Sequence, residues 1–176
     1  YHFLWYQNLG DGGFSAPEAV ERVWDDNEFP DVFFSDPSGR IRLADMNGDG
    51  LTDIVRIHHG TVEYWPNLGY GRFGKKITMG TVPDAPALDL LFDPARLFLI
   101  DLDGTGCADL VYVGPNEVHF WFNQSGNAWS ERQVISGTPF APTGAGLDFA
   151  DIFGTGTATL VWSRDLGLIP GSNYFA

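Results

Sequence analysis

The sequence has 176 residues, of which 44% are hydrophobic and 15% aromatic, with 22 glycines and 11 prolines. This composition excludes a disordered chain and predicts one globular, turn-rich domain of the all-β class. The formal net charge of −13 disfavours nucleic acid and anionic membranes as partners, since both attract basic surfaces, and it favours divalent cations. The one cysteine, Cys107, excludes internal disulfides and a cysteine-rich zinc site.

The sequence contains no run of 18 apolar residues and no basic segment followed by an apolar one. It therefore predicts neither a membrane span nor a signal peptide, and no direct insertion into a membrane. Because the chain begins at Tyr1 and not at Met, we expect it to be an excerpt of a longer protein whose targeting signal lies elsewhere.

Similar stretches recur along the chain with a period of about 50 residues, which is typical of propeller blades. The opening "LWYQNLGDGGF" at 4–14 is followed by "VEYWPNLGYGRF" at 62–73 and "VHFWFNQSGNAW" at 118–129. Loops that contain Asp and Gly begin at Asp45, Asp101 and Asp151, at spacings of 56 and 50 residues. The repeat therefore predicts the architecture before any single motif does.

Each repeat predicts four short strands. The entry strands are "RIRLA", "RLFLI" and "GLDFA", an Asp/Gly loop follows each, and the second strands are "TDIVRIH", "ADLVYVG" and "ATLVWS". "VEYW" and "VHFWF" supply third strands, since β-branched and aromatic residues suit a strand that packs on both faces. The stretch "APEAVERVWDD" comes nearest to a helical pattern, but its place in the repeat assigns it to a strand and a loop.

Four-stranded units of this length predict a β-propeller, in which each blade covers the apolar face of the next. We expect a single partial propeller domain over 1–176, with partial repeats at 1–35 and 142–176 and full repeats at 36–91 and 92–141. Closed propellers have about four to eight blades, so the chain is predicted to be an arc of a larger ring. The terminal blades of such an arc expose strand edges that invite association.

The first Asp/Gly loop, "DMNGDGLTD", places oxygen donors at alternate positions, as a calcium loop does. The predicted ligands are the side chains of Asp45, Asn47, Asp49 and Asp53 and the carbonyl of Leu51. The loop is not an EF-hand, because Arg56 stands where a bidentate Glu would be and strands flank the loop.

The second loop predicts a weaker calcium site formed by Asp101, Asp103 and Asp109, because Thr105 replaces a carboxylate. In the third loop Asp151 is the one remaining carboxylate, so no metal is predicted there. An alternative stays open for all three loops, since Asp and Asn accept backbone N–H bonds in tight turns without any ion.

Other candidate residues favour structural roles. Trp5, Trp65, Trp121 and Trp129 are predicted to pack between blades, with stacking on sugar rings as the alternative. The four histidines lack metal-binding spacing and are assigned to structure: His2, His58, His59 and His119. The carboxylates of "VWDDNEF" and "LDLLFDP" are assigned to solvated loops, and no nucleophile or phosphate motif occurs, so the sequence predicts no enzyme.

"DMNGDGLTDIV" followed by "YWPNLGYGRF" resembles the FG-GAP/VCBS repeat of integrin-type propellers, whose calcium loops have the form DxDxDGxxD. More narrowly, "FLWYQNLGDGGF", "ADMNGDGLTDIVRIHHGTVEYWPNLGYGRFG" and "VWSRDLGLIPGSNYF" resemble the B component of bacterial insecticidal toxin complexes (Tc toxins). The resemblance extends over essentially the whole chain and falls in the region next to the Salmonella virulence-plasmid-type segment.

The resemblance implies a secreted, non-catalytic module with protein partners. In Tc toxins the B and C components form a hollow shell around a toxic polypeptide, and a propeller in B docks onto the pore-forming A component and acts as its gate. A calcium-stabilised propeller for cell-surface adhesion or glycan binding is the alternative, and an enzyme with carboxylates at the central channel is a third interpretation. The family pattern supports calcium ligands in the first two loops and departs from the third at Phe153 and Thr159.

Overall fold

The computed structural model describes residues 4–20, 23–31, 40–58, 60–82, 93–142 and 146–163. In this part the chain forms twelve β-strands and one short 3-10 turn at Pro94–Arg96. The strands are β1 Leu4–Trp5, β2 Glu18–Ala19, β3 Ile41–Ala44, β4 Asp53–His58, β5 Thr61–Trp65, β6 Ile77–Thr81, β7 Leu97–Ile100, β8 Asp109–Val113, β9 Glu117–Trp121, β10 Gln133–Ser136, β11 Gly146–Ala150 and β12 Thr159–Ser163. The prediction of an all-β chain is confirmed, and "APEAVERVWDD" contains strand β2.

The strands form four antiparallel sheets in chain order. Strands β3–β6 form blade 1, and strands β7–β10 form blade 2, each with four strands that follow one another up and down. Strands β1–β2 form the N-terminal half-blade and strands β11–β12 the C-terminal half-blade. The predicted four-stranded propeller blades are therefore present. The predicted repeat boundaries stay predictions.

The second strand of each full blade is buried on both faces. Ile54, Val55 and Ile57 of β4 are buried, and so is every residue of β8. Side chains alternate between the two faces of a strand, so such burial requires a neighbour on each side of the sheet. Both full blades are thus inner layers of a stack, as the propeller prediction requires.

Three apolar clusters join the sheets in sequence. The largest lies between blades 1 and 2 and includes Met46, Tyr64 and Val55 against Leu110 and Trp121. A second joins blade 2 to the C-terminal half-blade, and a third packs Val20 and Phe29, which follow the N-terminal half-blade, onto blade 1. The sheets therefore stack in the order of the chain, with the two half-blades at opposite ends of the stack.

The predicted similarity of the stretches at 4–14, 62–73 and 118–129 is seen in their hairpins. Asn8, Asn67 and Asn123 each form an isolated bridge with an aromatic residue six positions later. The Oδ1 atom of each asparagine accepts a hydrogen bond from a glycine N–H two or three residues on, at 2.7 to 2.9 Å. The opening of the chain is therefore an earlier copy of the hairpin that joins the third and fourth strands of a blade.

An ion cluster ties residues 23–31 to blade 1. Both oxygens of Asp26 accept hydrogen bonds from the guanidinium of Arg56, and Lys76 also contacts Asp26. Arg56 further pairs with Glu63 and lies 4.9 Å from the centre of the Trp65 ring. The hydrogen bond from Arg56 is the main reason that the pKa of Asp26 lies well below its usual value.

The glycine at the contact between blades gives the first prediction. A Cβ atom on Gly126 would lie directly against the Tyr64 hydroxyl, whereas one on Gly137 would meet no atom within 4 Å, and both glycines have positive φ (74° and 79°). We expect Gly126→Ala to lower the free energy of unfolding by about 2–4 kcal/mol and Gly137→Ala by about 1 kcal/mol, measured by urea unfolding. Equal losses of unfolding free energy for the two variants would contradict tight packing at this contact. In a Tyr64→Phe background, which lacks the hydroxyl, the cost of Gly126→Ala should come closer to that of Gly137→Ala.

The ion cluster predicts a pH effect on stability. Because the pKa of Asp26 is lowered on folding, its stabilisation is present above about pH 4, the usual range of an aspartate, and is lost as pH falls below it. Asp26 is half exposed, so we expect Asp26→Asn to cost only about 0.5–1 kcal/mol at neutral pH. Measured by urea unfolding, the difference in unfolding free energy between Asp26→Asn and the unmodified chain should shrink as pH falls from about 4 towards 2. Glu131→Gln at an exposed site is the control, and a loss of stability for Asp26→Asn that does not vary with pH would contradict the assignment.

Candidate functional site

The three Asp/Gly loops lie at corresponding places in successive sheets. They span 45–52 between β3 and β4, 101–108 between β7 and β8, and 151–158 between β11 and β12. The hairpin that joins the third and fourth strands lies at the same end of each full blade, because these strands are antiparallel. Loops and hairpins of this kind together form one surface, which we call the loop face.

The first aspartate of each loop holds the turn. The carboxylate of Asp45 accepts hydrogen bonds from the N–H groups of Gly48 and Gly50 at 2.8 and 2.7 Å. Asp101 and Asp151 accept two such bonds each from their own loops. These contacts join neighbours in sequence. The backbone bonds also lower the pKa of Asp151.

The last aspartate of each of the first two loops, Asp53 or Asp109, is buried and hydrogen-bonded to two chain segments, and we call it the clamp aspartate. Asp53 is fully buried, and its two oxygens accept hydrogen bonds from Met46 N–H and Asn67 N–H at 2.9 and 2.8 Å. Asp109 is equally buried and accepts the N–H groups of Leu102 and Asn123 in the same way. Each clamp joins its loop to the hairpin of the same blade. Thr159 has this position in the third loop.

Burial changes the acidity of the clamps. It raises the pKa of Asp53, and it raises the pKa of Asp109 to about 6, although backbone hydrogen bonds oppose both shifts. The negative charges of Asp103 and Asp101 add to the effect at Asp109. A cation near these carboxylates would offset both the burial and the repulsion.

Among the described residues, the acidic group that could hold a metal ion is Asp101, Asp103 and Asp109, whose ligand oxygens lie within 4.8 Å of one another. This group belongs to the loop for which the sequence predicts the weaker site. In the first loop Asp49 instead accepts hydrogen bonds from the Asn47 amide at 3.0 Å and from Leu51 N–H at 2.8 Å. Both donor sets consist of oxygen atoms, which suit a hard cation such as Ca²⁺.

Neighbouring blades are joined directly at the loop face. The Asn123 amide donates to the carbonyl of Met46 at 2.8 Å, and Ala108 N–H donates to the carbonyl of Asp45 at 2.7 Å. Cys107 is buried at this contact beside Gly48. Sequence reasoning missed these bonds. The spacing of 56 residues between Asn67 and Asn123 marks Asn123 as a repeat position but does not indicate its partner in the adjacent blade.

The tryptophans take the packing role that was predicted for them. Trp65, Trp121 and Trp129 are buried in the apolar clusters, and Trp5 lies against Gly71 of blade 1. The N–H group of Trp65 donates to the carbonyl of Asp26 at 3.0 Å. The rings of Trp65, Trp121 and Trp129 are therefore not available to stack on sugars.

The histidines and the loop carboxylates that the sequence assigns to structural roles have the following positions. His119 contacts Glu117 at 2.8 Å and stacks on Trp121, while His58 is exposed at the end of β4. His2 and His59 lie outside the described residues, as does most of "LDLLFDP". Asp26 of "VWDDNEF" takes part in the ion cluster. No described helix is long and apolar enough to cross a membrane.

Comparison with known proteins agrees with this architecture. The model of the FG-GAP-like repeat family matches residues 101–162, which contain the second and third Asp/Gly loops. No curated protein gives a significant match. A lectin from Agrocybe aegerita, described as recognising non-reducing terminal N-acetylglucosamine, shares 22% identity over 92% of this chain and 40% of its own, with a TM-score of 0.61. At this identity it shows a common fold.

Solved structures of Tc toxins match at higher identity. The crystal structure of TcdB2-TccC3 without its hypervariable C-terminal region is 36% identical over 73% of this chain, with a TM-score of 0.62. The Photorhabdus luminescens Tc holotoxin pore is 30% identical over 93% of this chain, with a TM-score of 0.66. The chain spans 6% and 7% of the lengths of these toxin chains. The chain therefore forms propeller-like blades, matches the FG-GAP-like repeat family at residues 101–162, and is similar in sequence and in structure to part of the Tc toxins.

Proposed function

We propose that the chain is a non-catalytic propeller module of a secreted Tc toxin B component, which docks onto the pore-forming A component and gates the shell that B forms with C. The observation that carries this proposal is the 30–36% identity to Tc toxin structures over 73–93% of the chain. The match to a lectin, at 22% identity, shows only a common fold, so it gives less support to the alternative of a glycan-binding propeller.

The loop face is the surface that we propose for docking. Its loops and hairpins expose large apolar side chains at about 40–80% of their area: Leu9, Leu51, Leu68, Tyr70, Ile152 and Phe153. Protein partners bind surfaces where large apolar side chains are exposed together, and this is the role that we propose for the loop face. The opposite end of blade 2 carries the exposed residues Pro115, Asn116 and Ser136.

We further propose that Ca²⁺ binds the first two loops, through Asp45, Asn47, Asp49, Asp53 and the Leu51 carbonyl in the first and through Asp101, Asp103 and Asp109 in the second. The acidic group in the second loop supports this proposal. When bound, the ion would neutralise carboxylates that burial and mutual repulsion disfavour. It would stiffen the loop face and has no catalytic part in this proposal.

Docking is tested by immobilising a purified Tc toxin A component and measuring binding of the chain by biolayer interferometry. We expect binding to be weakened about tenfold or more by Leu68→Glu combined with Tyr70→Glu, since charges would replace the apolar contacts of the loop face. The matched control is Asn116→Glu combined with Ser136→Glu, which adds the same charge at the opposite end of a blade and should leave binding unchanged.

Equal weakening by both pairs would show a general charge effect and count against the loop face. Absence of binding by the unmodified chain, together with binding to an N-acetylglucosamine surface, would favour the glycan-binding alternative.

Calcium binding is tested by thermal unfolding in chelator and in added Ca²⁺. A ligand at 100 times its Kd adds about 2.7 kcal/mol of stability if it binds only the folded state, so we expect Ca²⁺ to raise the Tm. Asp49→Ala should remove the contribution of the first loop and Asp103→Ala that of the second. A Tm that Ca²⁺ leaves unmoved in the unmodified chain would contradict occupancy of both loops.

The same variants separate metal binding from the metal-free clamp. In chelator, Asp53→Ala leaves the buried Met46 N–H and the part-buried Asn67 N–H without their acceptor and should cost about 2–4 kcal/mol. Asp49→Ala affects an exposed side chain and should cost only about 0.5 kcal/mol in chelator. A large cost for Asp49→Ala without calcium would assign that residue to the fold and not to an ion.

A further inference from the structure

The first two Asp/Gly loops touch each other across the contact between blades 1 and 2. A Cβ atom on Gly48 would lie 3.0 Å from the sulfur of Cys107, and one on Gly106 would lie 3.8 Å from the Cα atom of Gly48. Cys107 is itself buried. The two turns are close-packed at this point, so a change in the shape of one turn acts on the other.

The glycines at this contact are held by the first aspartates of their loops. Gly48 N–H donates to the carboxylate of Asp45 at 2.8 Å, and Gly106 N–H donates to that of Asp101 at 2.9 Å. Asp45 and Asp101 are also the first proposed calcium ligands of the two loops. The contact between the turns therefore lies one hydrogen bond away from a proposed ligand in each loop.

A chain of buried hydrogen bonds forms a second connection, and Asn123 lies at its centre. The Asn123 side-chain amide donates to the carbonyl of Met46 at 2.8 Å, and its backbone N–H donates to the clamp aspartate Asp109 at 2.8 Å. The N–H of Met46 in turn donates to the other clamp aspartate, Asp53, at 2.9 Å. Met46, Asp53 and Asp109 are 0% exposed and Asn123 is 7% exposed, so water has little access to replace these bonds.

The end of the second loop is joined to the first loop at the same place. Ala108 N–H donates to the carbonyl of Asp45 at 2.7 Å, and the carbonyl of Ala108 accepts from Asn123 Nδ2 at 3.0 Å. In blade 1 the equivalent residue is Asn67, whose side-chain amide donates to the carbonyl of Thr52 at 2.9 Å. Asn123 therefore contacts both loops, whereas this bond of Asn67 stays within its own blade.

We propose that the first two loops bind Ca²⁺ cooperatively and that Asn123 is the positioning residue that couples them. The inference rests on the calcium binding proposed above. A loop that holds an ion is restricted in its motion, and the bonds through Asn123 and Ala108 extend this restriction to the neighbouring loop. The second loop to bind then loses less conformational freedom, which favours binding. The coupling acts equally in both directions, since coupling between two binding sites is reciprocal.

Charge acts against this coupling and can be separated from it. Each loop offers three carboxylates, so a loop that holds one divalent cation stays negative but attracts a second cation to its neighbour less strongly than before. Salt screens this effect over about 8 Å at physiological ionic strength, whereas the buried hydrogen bonds are little affected. We therefore expect positive cooperativity at about 0.15 M salt, and stronger cooperativity when the salt concentration is raised.

Isothermal titration calorimetry of the 176-residue chain with Ca²⁺ tests the proposal. Asp103→Ala leaves the first loop able to bind and Asp49→Ala leaves the second, and both side chains are exposed, so both variants should fold. For independent loops, the product of the two dissociation constants of the unmodified chain equals the product of the constants of the two variants. We expect the product in the unmodified chain to be about tenfold smaller.

The role of Asn123 is tested by repeating this comparison in two further backgrounds. In Asn123→Ala the two products should become equal, because the bond to Met46 is lost. Asn67→Ala is the matched control, since it removes the same side chain at the equivalent position of blade 1, and it should keep the tenfold difference. A purely structural role of Asn123 would lower the stability of the chain but would leave the comparison of products unchanged.

Hydrogen exchange gives a second measurement, which does not require Asn123→Ala to fold. In Asp49→Ala the second loop alone binds, yet added Ca²⁺ should slow amide exchange in the first loop, residues 45–52, by up to about tenfold. The control is Asp49→Ala combined with Asp103→Ala, in which added Ca²⁺ should leave the exchange of this loop unchanged.

The outcomes separate this inference from the calcium proposal. Equal products in the unmodified chain, with binding in both single variants, would overturn cooperativity and leave the two calcium sites intact. Absence of slowed exchange in Asp49→Ala, or binding by one loop alone, would also overturn it. Absence of Ca²⁺ binding in the unmodified chain and in both variants would contradict the calcium sites and the inference together. Cooperativity that persists in Asn123→Ala would overturn the role of Asn123.

Discussion

The structure depends on the need of each sheet to be covered on both faces. Every residue of β8 is buried, so blade 2 requires one apolar layer from blade 1 and another from the C-terminal half-blade. Hydrophobic burial at about 25 cal/mol per Å² drives this stacking, and it is repeated from sheet to sheet. This close stacking requires glycine at positions 71 and 126. Trp5 and Tyr64 of the preceding sheets occupy the space that a Cβ atom would take at Gly71 and at Gly126.

The loop face is built on the same interfaces by polar contacts. A buried aspartate such as Asp53 costs desolvation energy, and the two N–H groups that it accepts offset part of that cost. The clamp therefore fixes the hairpin to the loop in each full blade, and Asn123 extends the connection to Met46 in the blade before it. A metal ion at such a loop would act on carboxylates that already hold the fold, so structure and ion binding share the same side chains.

Structure could be predicted from the sequence where the contacts are between residues close together in the chain. The repeat spacing predicts the blades, and the Asp/Gly pattern predicts turns such as that from Asp45 to Gly50, five residues apart. Contacts between residues far apart in the chain could not be predicted in this way. Arg96 was predicted to begin an entry strand, but it ends a 3-10 turn, and its guanidinium donates to the carbonyls of Val113 and Ala141. The acidic group lies in the second loop, whereas in the first loop Asp49 accepts a hydrogen bond from Asn47, and the order of residue types alone does not predict this difference.

The last repeat shows that the turn and the clamp can be separated. Thr159 has the place of the clamp aspartate, and one hydroxyl offers fewer acceptor sites than a carboxylate. Its loop is still held by Asp151, so the turn persists where the clamp is lost. In blades 1 and 2 the clamp joins the loop to the hairpin that lies beside it. Turn formation is thus a property of the loop alone, whereas the clamp joins the loop to a hairpin, and the two functions belong to different aspartates of the same loop.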